Sequence, residues 1–207
     1  MNINHLIEVY GYLAVFTLVG AESLGIPVPG ETALILAGAY AGHTHRLSSW
    51  LVFAVAAAGA IIGDNIGFWI GHRFGYALAR RYGRHVRLNE RKLKIARYLF
   101  DTHGQKVVFF GRFVSILRTY AAFLAGSNRM LWSKFLPANA AGGIVWAGVY
   151  TFAAYLAGNA ITHLKGIIAL VIGGVALVGV ATVLILVGRR TNRLGPAAEA
   201  AYPGPLE

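Results

Sequence analysis

Four charged residues stand inside stretches of chain otherwise apolar enough to enter a bilayer: Glu22 and Glu31 in the first half, Arg112 and Arg118 in the second. A charge at membrane depth costs about 2.5–3.5 kcal/mol even on the mildest insertion scale, so such residues usually face a cavity or one another and carry function. Acids in one half and arginines in the other point to a polar site for an anionic group. The plainer reading is that Glu and Arg only neutralise each other and hold the chain together, since a buried pair alone is weak evidence of purpose.

The rest of the composition agrees with a membrane setting. Of 207 residues, 57% are hydrophobic and 13% charged, with a mean hydropathy of +0.57, whereas an ordinary soluble domain has about 25% charged residues. The length predicts one membrane domain over residues 1–188 and a basic, disordered tail over 189–207. Net charge is +11, and ten of the nineteen Lys and Arg fall between Arg73 and Lys106, with Arg189, Arg190 and Arg193 after the last apolar run. The positive-inside rule places residues 73–106 and the C-terminus in the cytoplasm. A basic patch can also bind nucleic acid, but beside spans of this kind no nucleic-acid partner is expected. There is no cysteine, so disulfides are excluded. The first Lys or Arg is Arg46, so no cleavable leader is expected and residues 6–20 should stay in the mature protein.

Residues 6–20 form an apolar run that continues into Ala21-Glu22, and Pro27, Pro29 and Gly30 then break any helix. The run from Thr32 to Gly42 is too short for a span, which needs about 20 residues. It predicts a re-entrant hairpin, whose irregular backbone at depth must be buried in protein or line a wet cavity. Residues 47–72 read as a span interrupted at Gly63-Asp64-Asn65. Leu93, Ala96, Leu99 and Phe100 fall at helical spacing among basic residues, as in an amphipathic helix on an anionic leaflet. Residues 107–127 are again apolar with embedded charges, and spans follow near 132–158 and 166–188. Each half thus has a charged, interrupted segment ending in Ala-Gly (Ala37-Gly38, Ala125-Gly126) and then a long helix. The fold expected is an all-α integral membrane protein, with transmembrane helices and two opposed re-entrant hairpins in an inverted-repeat-like arrangement. Gly173, Gly174 and Gly179 would suit internal packing or a homodimer.

Arginine grips two phosphate oxygens through a planar fork and stays ionised when partly buried. Glutamate titrates near neutral pH once desolvated or beside another acid. Arginines and titratable acids in one cavity fit proton-coupled movement of a phosphate head group. Asp64 is a third candidate acid, or else a structural one. Ser115, Tyr120 and Asn139 are secondary candidates, with packing the competing role for Tyr120 and helix structure for Asn139. His43 and His45 lack a third ligand at metal-binding spacing, so no metal or cofactor is expected. The histidines (5, 43, 45, 72, 85, 103 and 163) all lie near ends or loops, with no phosphatase or nucleophile-elbow motif. An enzyme is therefore not expected.

Three segments together resemble the DedA family, also called the SNARE-associated or VTT-domain family: ESLGIPVPGETALILAG from Glu22, GDNIGFWIGHRFG from Gly63, and FFGRFVSILRTYAAFLAG from Phe109. The resemblance covers roughly residues 10 to 160. It implies that Glu22 and Glu31 are the family's membrane-embedded acids, that Arg112 and Arg118 are its essential arginine pair, and that Asp64 belongs to its Gly-Asp motif. Asn139, Gly143 and Trp146 fall in its later helix pattern. Family members are bacterial inner-membrane proteins with relatives in eukaryotic endomembranes. Several are implicated in returning undecaprenyl phosphate to the cytoplasmic leaflet, others in phospholipid translocation or scrambling, and many depend on the proton-motive force. Where family members commonly carry prolines in the second hairpin, this chain has Ser115 and Ala122. The expectation is a multi-pass carrier of a phosphorylated lipid in the cytoplasmic membrane, with Arg112 and Arg118 on the phosphate and Glu22 and Glu31 exchanging protons. The alternatives are a broad phospholipid translocase or scramblase, and a proton-coupled cation antiporter.

Overall fold

The computed structural model describes residues 3–82, 94, 98, 100, 102–113, 115–163 and 200–201. The expected amphipathic helix near 91–100, most of the basic segment, the span at 166–188 with its glycines, and the tail lie largely or wholly outside them. Among the described residues there are six helices: α1 Ile3–Leu24, α2 Gly30–Thr44, α3 Ser49–Tyr82, α4 Gln105–Gly111, α5 Ser115–Ser127 and α6 Trp132–His163. The chain is all-α. Among the described residues, two helices are long and apolar enough to cross a membrane, Ser49–Phe74 of α3 and Trp132–Ala160 of α6. Trp50 and Trp69, one near each end of the α3 stretch, are both exposed, as tryptophans of the interfacial belts are.

The breaks have local causes. Gly25, at φ 106°, ends α1: its N–H bonds to Glu22 O and the Ile26 N–H reaches back to Ala21 O, both at 3.0 Å. This is a left-handed helix cap that glycine adopts without a Cβ penalty. Pro27 and Pro29 then each centre a γ-turn, with the Val28 N–H bonded to Ile26 O at 2.8 Å and the Gly30 N–H to Val28 O at 2.9 Å, before α2 begins. With 15 residues, α2 is about 22 Å long, well short of a hydrocarbon core of about 30 Å. It folds back onto α1, so the expected hairpin is present. The second break needs no proline. α4 ends at Gly111, the Phe113 N–H bonds to Phe110 O at 3.1 Å, and α5 starts at Ser115. Ala122 lies buried in the uninterrupted middle of α5.

The expected interruption at Gly63-Asp64-Asn65 is absent, because α3 runs straight through it. Glycine weakens helices in water, but inside a membrane it also lets two backbones approach. A Cβ on Gly63 would collide with Gly20 O of α1, and one on Gly59 would lie 2.5 Å from Phe16 O. Pro137 likewise sits inside a continuous α6.

The chain divides into two compact units, Met1–Asp64 with Ala140–Gly179, and Asn65–Asn139 with Val180–Glu207. They are built on the same plan. In the first, α1 packs on the early part of α3, while α2 packs on the late part of α6. Gly38 there abuts Thr151 and Ala154, and Gly42 abuts Tyr155 and Asn159. In the second unit, α4 packs on the early part of α6 and α5 on the late part of α3, where Gly126 abuts Phe68 and His72, and Gly71 abuts Phe123. Ala37-Gly38 and Ala125-Gly126 thus hold equivalent places. The first core centres on Val15, Val19, Leu34, Val52 and Ala147, and the second on Phe68 stacked on Phe135 at 4.4 Å with Leu124 and Ala125.

Overpacking a close contact of this kind costs about 1–3 kcal/mol or more. Gly126→Leu is therefore expected to lower the thermal midpoint of the purified protein by about 5 °C. Gly148→Ala, whose Cβ would meet Phe53 at an ordinary 3.5 Å, should leave the midpoint within about 1 °C. Differential scanning fluorimetry in detergent reads both.

Candidate functional site

Glu22 and Glu31 meet at the turn of the first hairpin. Pro29, the residue that caps α2, makes no side-chain cap hydrogen bond. The Glu31 N–H instead donates to Glu22 Oε2 at 2.7 Å, so the acid at the end of α1 closes the start of α2. A carboxylate there also suits the positive end of the helix dipole, as does Glu31 in the first turn. The geometry requires glycine at position 30: a Cβ would lie 2.6 Å from both Glu22 Oε2 and Leu18 O. Asp64 is buried in α3 of the same unit. The role of Glu22 as a cap is not written in its own neighbourhood. A signal was available nonetheless, because Pro29-Gly30 offers none of the usual Ser, Thr, Asp or Asn caps.

The arginines belong to the second unit. Arg112 sits at the break between α4 and α5 with only 4% of its surface exposed. Its Nη2 donates to Asn139 Oδ1 at 2.6 Å, and Asn139 on α6 is itself 1% exposed. Half-buried Arg118, six residues further on in the first turn of α5, is close enough for its like charge to bear on Arg112. Tyr120 packs against the apolar core beside Ala121 and Leu124. The Ser115 side chain lies outside the described residues. The structure therefore gathers Arg112, Asn139 and Arg118 in one unit and Glu22, Glu31 and Asp64 in the other.

His43 falls in the last turn of α2, and His45 is its left-handed cap, with its ring edge-on to Tyr155 at 6.2 Å. Among the described residues, no group of three or more potential metal ligands occurs. Two contacts had no sequence signal. Trp132 Nε1 donates to Asn65 Oδ1 at 2.9 Å, and Gln105 Nε2 donates to Lys134 O at 2.9 Å.

Short hairpin helices pack on two helices of membrane-crossing length, with a buried arginine and a carboxylate cap at the two breaks, an arrangement that fits an all-α membrane protein. Residues 28–156 match the VTT domain, and the chain belongs to the VTT-domain, or DedA, family. It is 41% identical over 161 residues to an uncharacterised membrane protein of Synechocystis, covering 78% of this chain and 73% of that one. Protein DedA of Escherichia coli is 28% identical over 96% of this chain and 93% of its own. The inner membrane protein YohD of Escherichia coli is 32% identical over 87% and 92%. No solved structure matches the chain.

If Glu22 caps α2, Glu22→Ala costs about 0.5–2 kcal/mol of stability while Glu22→Gln, which keeps an acceptor oxygen, costs less. Asn139→Leu strips a buried guanidinium of one acceptor and costs about 1.5–3 kcal/mol. Thermal midpoints of the three purified variants check these values. Equal losses for Glu22→Ala and Glu22→Gln would show that the charge, not the acceptor, is what α2 needs.

Proposed function

We propose that this protein is a carrier that moves a phosphorylated lipid across the cytoplasmic membrane, with undecaprenyl phosphate the first candidate cargo and the proton-motive force the drive. One observation carries the reading. Arg112 is a guanidinium withdrawn from solvent at a helix break, aimed by Asn139 and burdened by the like charge of Arg118. Two cations crowded in a poorly solvated place repel, and a phosphate bound by both turns that repulsion into attraction. Arginine suits the task because its planar fork matches two phosphate oxygens. The head group crosses while the apolar tail stays in lipid. No bond is made or broken, so the protein acts as a transporter and not as an enzyme.

Proton coupling is assigned to Glu22, with Glu31 and Asp64 as further acids. Protonating Glu22 removes the charge that accepts the Glu31 N–H, and a neutral acceptor holds that donor less strongly. Proton uptake thereby loosens the start of α2. Family membership supports the membrane setting.

The test is leaflet-to-leaflet movement of undecaprenyl phosphate in liposomes holding the purified protein, with and without a pH gradient. The protein is expected to move the polyprenyl phosphate and not phosphatidylethanolamine. Arg112→Lys, which keeps the charge but gives up the fork, should slow movement at least about tenfold. Equal movement of both lipids would make it a broad scramblase. Normal lipid movement by both Arg112→Lys and Arg118→Lys would sink the phosphate site and leave a proton-coupled cation antiporter.

A further inference from the structure

The N-terminal ends of α4 and α6 carry a polar feature that lipid movement through Arg112 does not use. A cavity of about 360 Å³ opens there, lined by Phe100, Gln105, Asn128, Met130, Leu131 and Lys134 among others. Its walls divide by chemistry. Phe100, Met130 and Leu131 make an apolar side, while Gln105, Asn128 and Lys134 make a polar one. The polar side is held in place: Gln105 is tied to Lys134 O, and Asn128 Nδ2 donates to Leu124 O at 2.9 Å. Two residues of positive φ stand beside it, Gly104 at 42° and Arg129 at 54°.

Charge and depth both narrow the occupant. Lys134 is exposed and, among the described residues, takes part in no ion pair. Exposed Arg129 adds a second cation beside Asn128. Next to Lys134, Trp132 opens the membrane-length helix α6, is 44% exposed and is fixed by Asn65. Tryptophan and lysine at the start of a span mark the head-group level of a bilayer. A cavity at that level, cationic on one wall and apolar on the other, matches a molecule with a phosphate at one end and methylenes just behind it. Lys134 would meet the phosphate, Gln105 and Asn128 its esters, and Met130 and Leu131 the root of the tail. A zwitterionic lipid offers the same phosphate but brings an ammonium group toward the cations Lys134 and Arg129, and free phosphate has nothing for the apolar wall.

We propose that this cavity is a docking site for the phosphate head group of an anionic membrane lipid, separate from Arg112 at the other end of α4. The proposal does not depend on the protein moving lipid.

The experiment titrates the full-length protein in neutral detergent with short-chain dihexanoyl phosphatidylglycerol and follows tryptophan fluorescence. Dihexanoyl phosphatidylcholine and inorganic phosphate serve as the comparison ligands. Saturable binding of the glycerol lipid is expected, at least about five-fold tighter than the choline lipid, with Lys134→Gln removing about five-fold and bringing the two together. Arg112→Ala should leave that binding in place. Lys134 is exposed, so its variant folds and its result stands whatever happens to Arg112→Ala. Equal affinity for the two lipids, no effect of Lys134→Gln, loss in Arg112→Ala without loss in Lys134→Gln, or inorganic phosphate binding as tightly as the anionic lipid would each overturn the proposal.

Discussion

A helix that starts away from bulk water leaves its first backbone N–H groups without partners, and each unmet group costs several kcal/mol. The first hairpin answers this with a side chain from the neighbouring helix: Glu22 takes the Glu31 N–H that Pro29 leaves without a side-chain cap. Much else at the turn follows from that bond. Gly30 has to lack a side chain for the carboxylate to reach, and Gly25 has to turn the chain after α1 so that α2 begins within reach of Glu22. An acid that reads as a transport residue is also a structural part.

Contact between short and long helices rests on another constraint. Lipid tails are as apolar as leucine, so helices in a membrane gain little by hiding leucine from them, and close van der Waals contact carries the association. Gly38 and Gly42 in one unit, and Gly71 and Gly126 in the other, bring helix backbones together at places where no Cβ would fit. The same device in both units explains why their plans agree while their sequences share little beyond Ala-Gly.

Local chemistry was the legible part of the fold. Pro27, Pro29 and Gly25 announce the first turn because each acts on its own backbone. The apolar runs announce α3 and α6 because span length is a property of one segment. Gly63-Asp64-Asn65 misled, since a glycine that would weaken a helix in water serves here as a contact surface for Gly20. The break at Arg112 carries no proline and is visible only through its charge. At the site, residue types pointed to Arg112, Arg118 and Asn139 separately. The bond between Arg112 and Asn139 joins residues 27 apart in sequence, and no periodicity encodes a pairing at that distance.

The division of the chain into interleaved units has a bearing on how the protein is made. The surface of α2 that presents Gly38 and Gly42 is complemented by Thr151 to Asn159, residues that leave the ribosome only after both hairpins and the basic segment. Until then the first hairpin is without its final partner. Non-local pairing of this kind slows assembly and prolongs exposure of incomplete surfaces. A chain cut short after α3 would therefore hold every residue of the first hairpin and still lack the wall against which that hairpin sets. Quality control in the membrane would meet an orphan rather than a half-sized version of the protein.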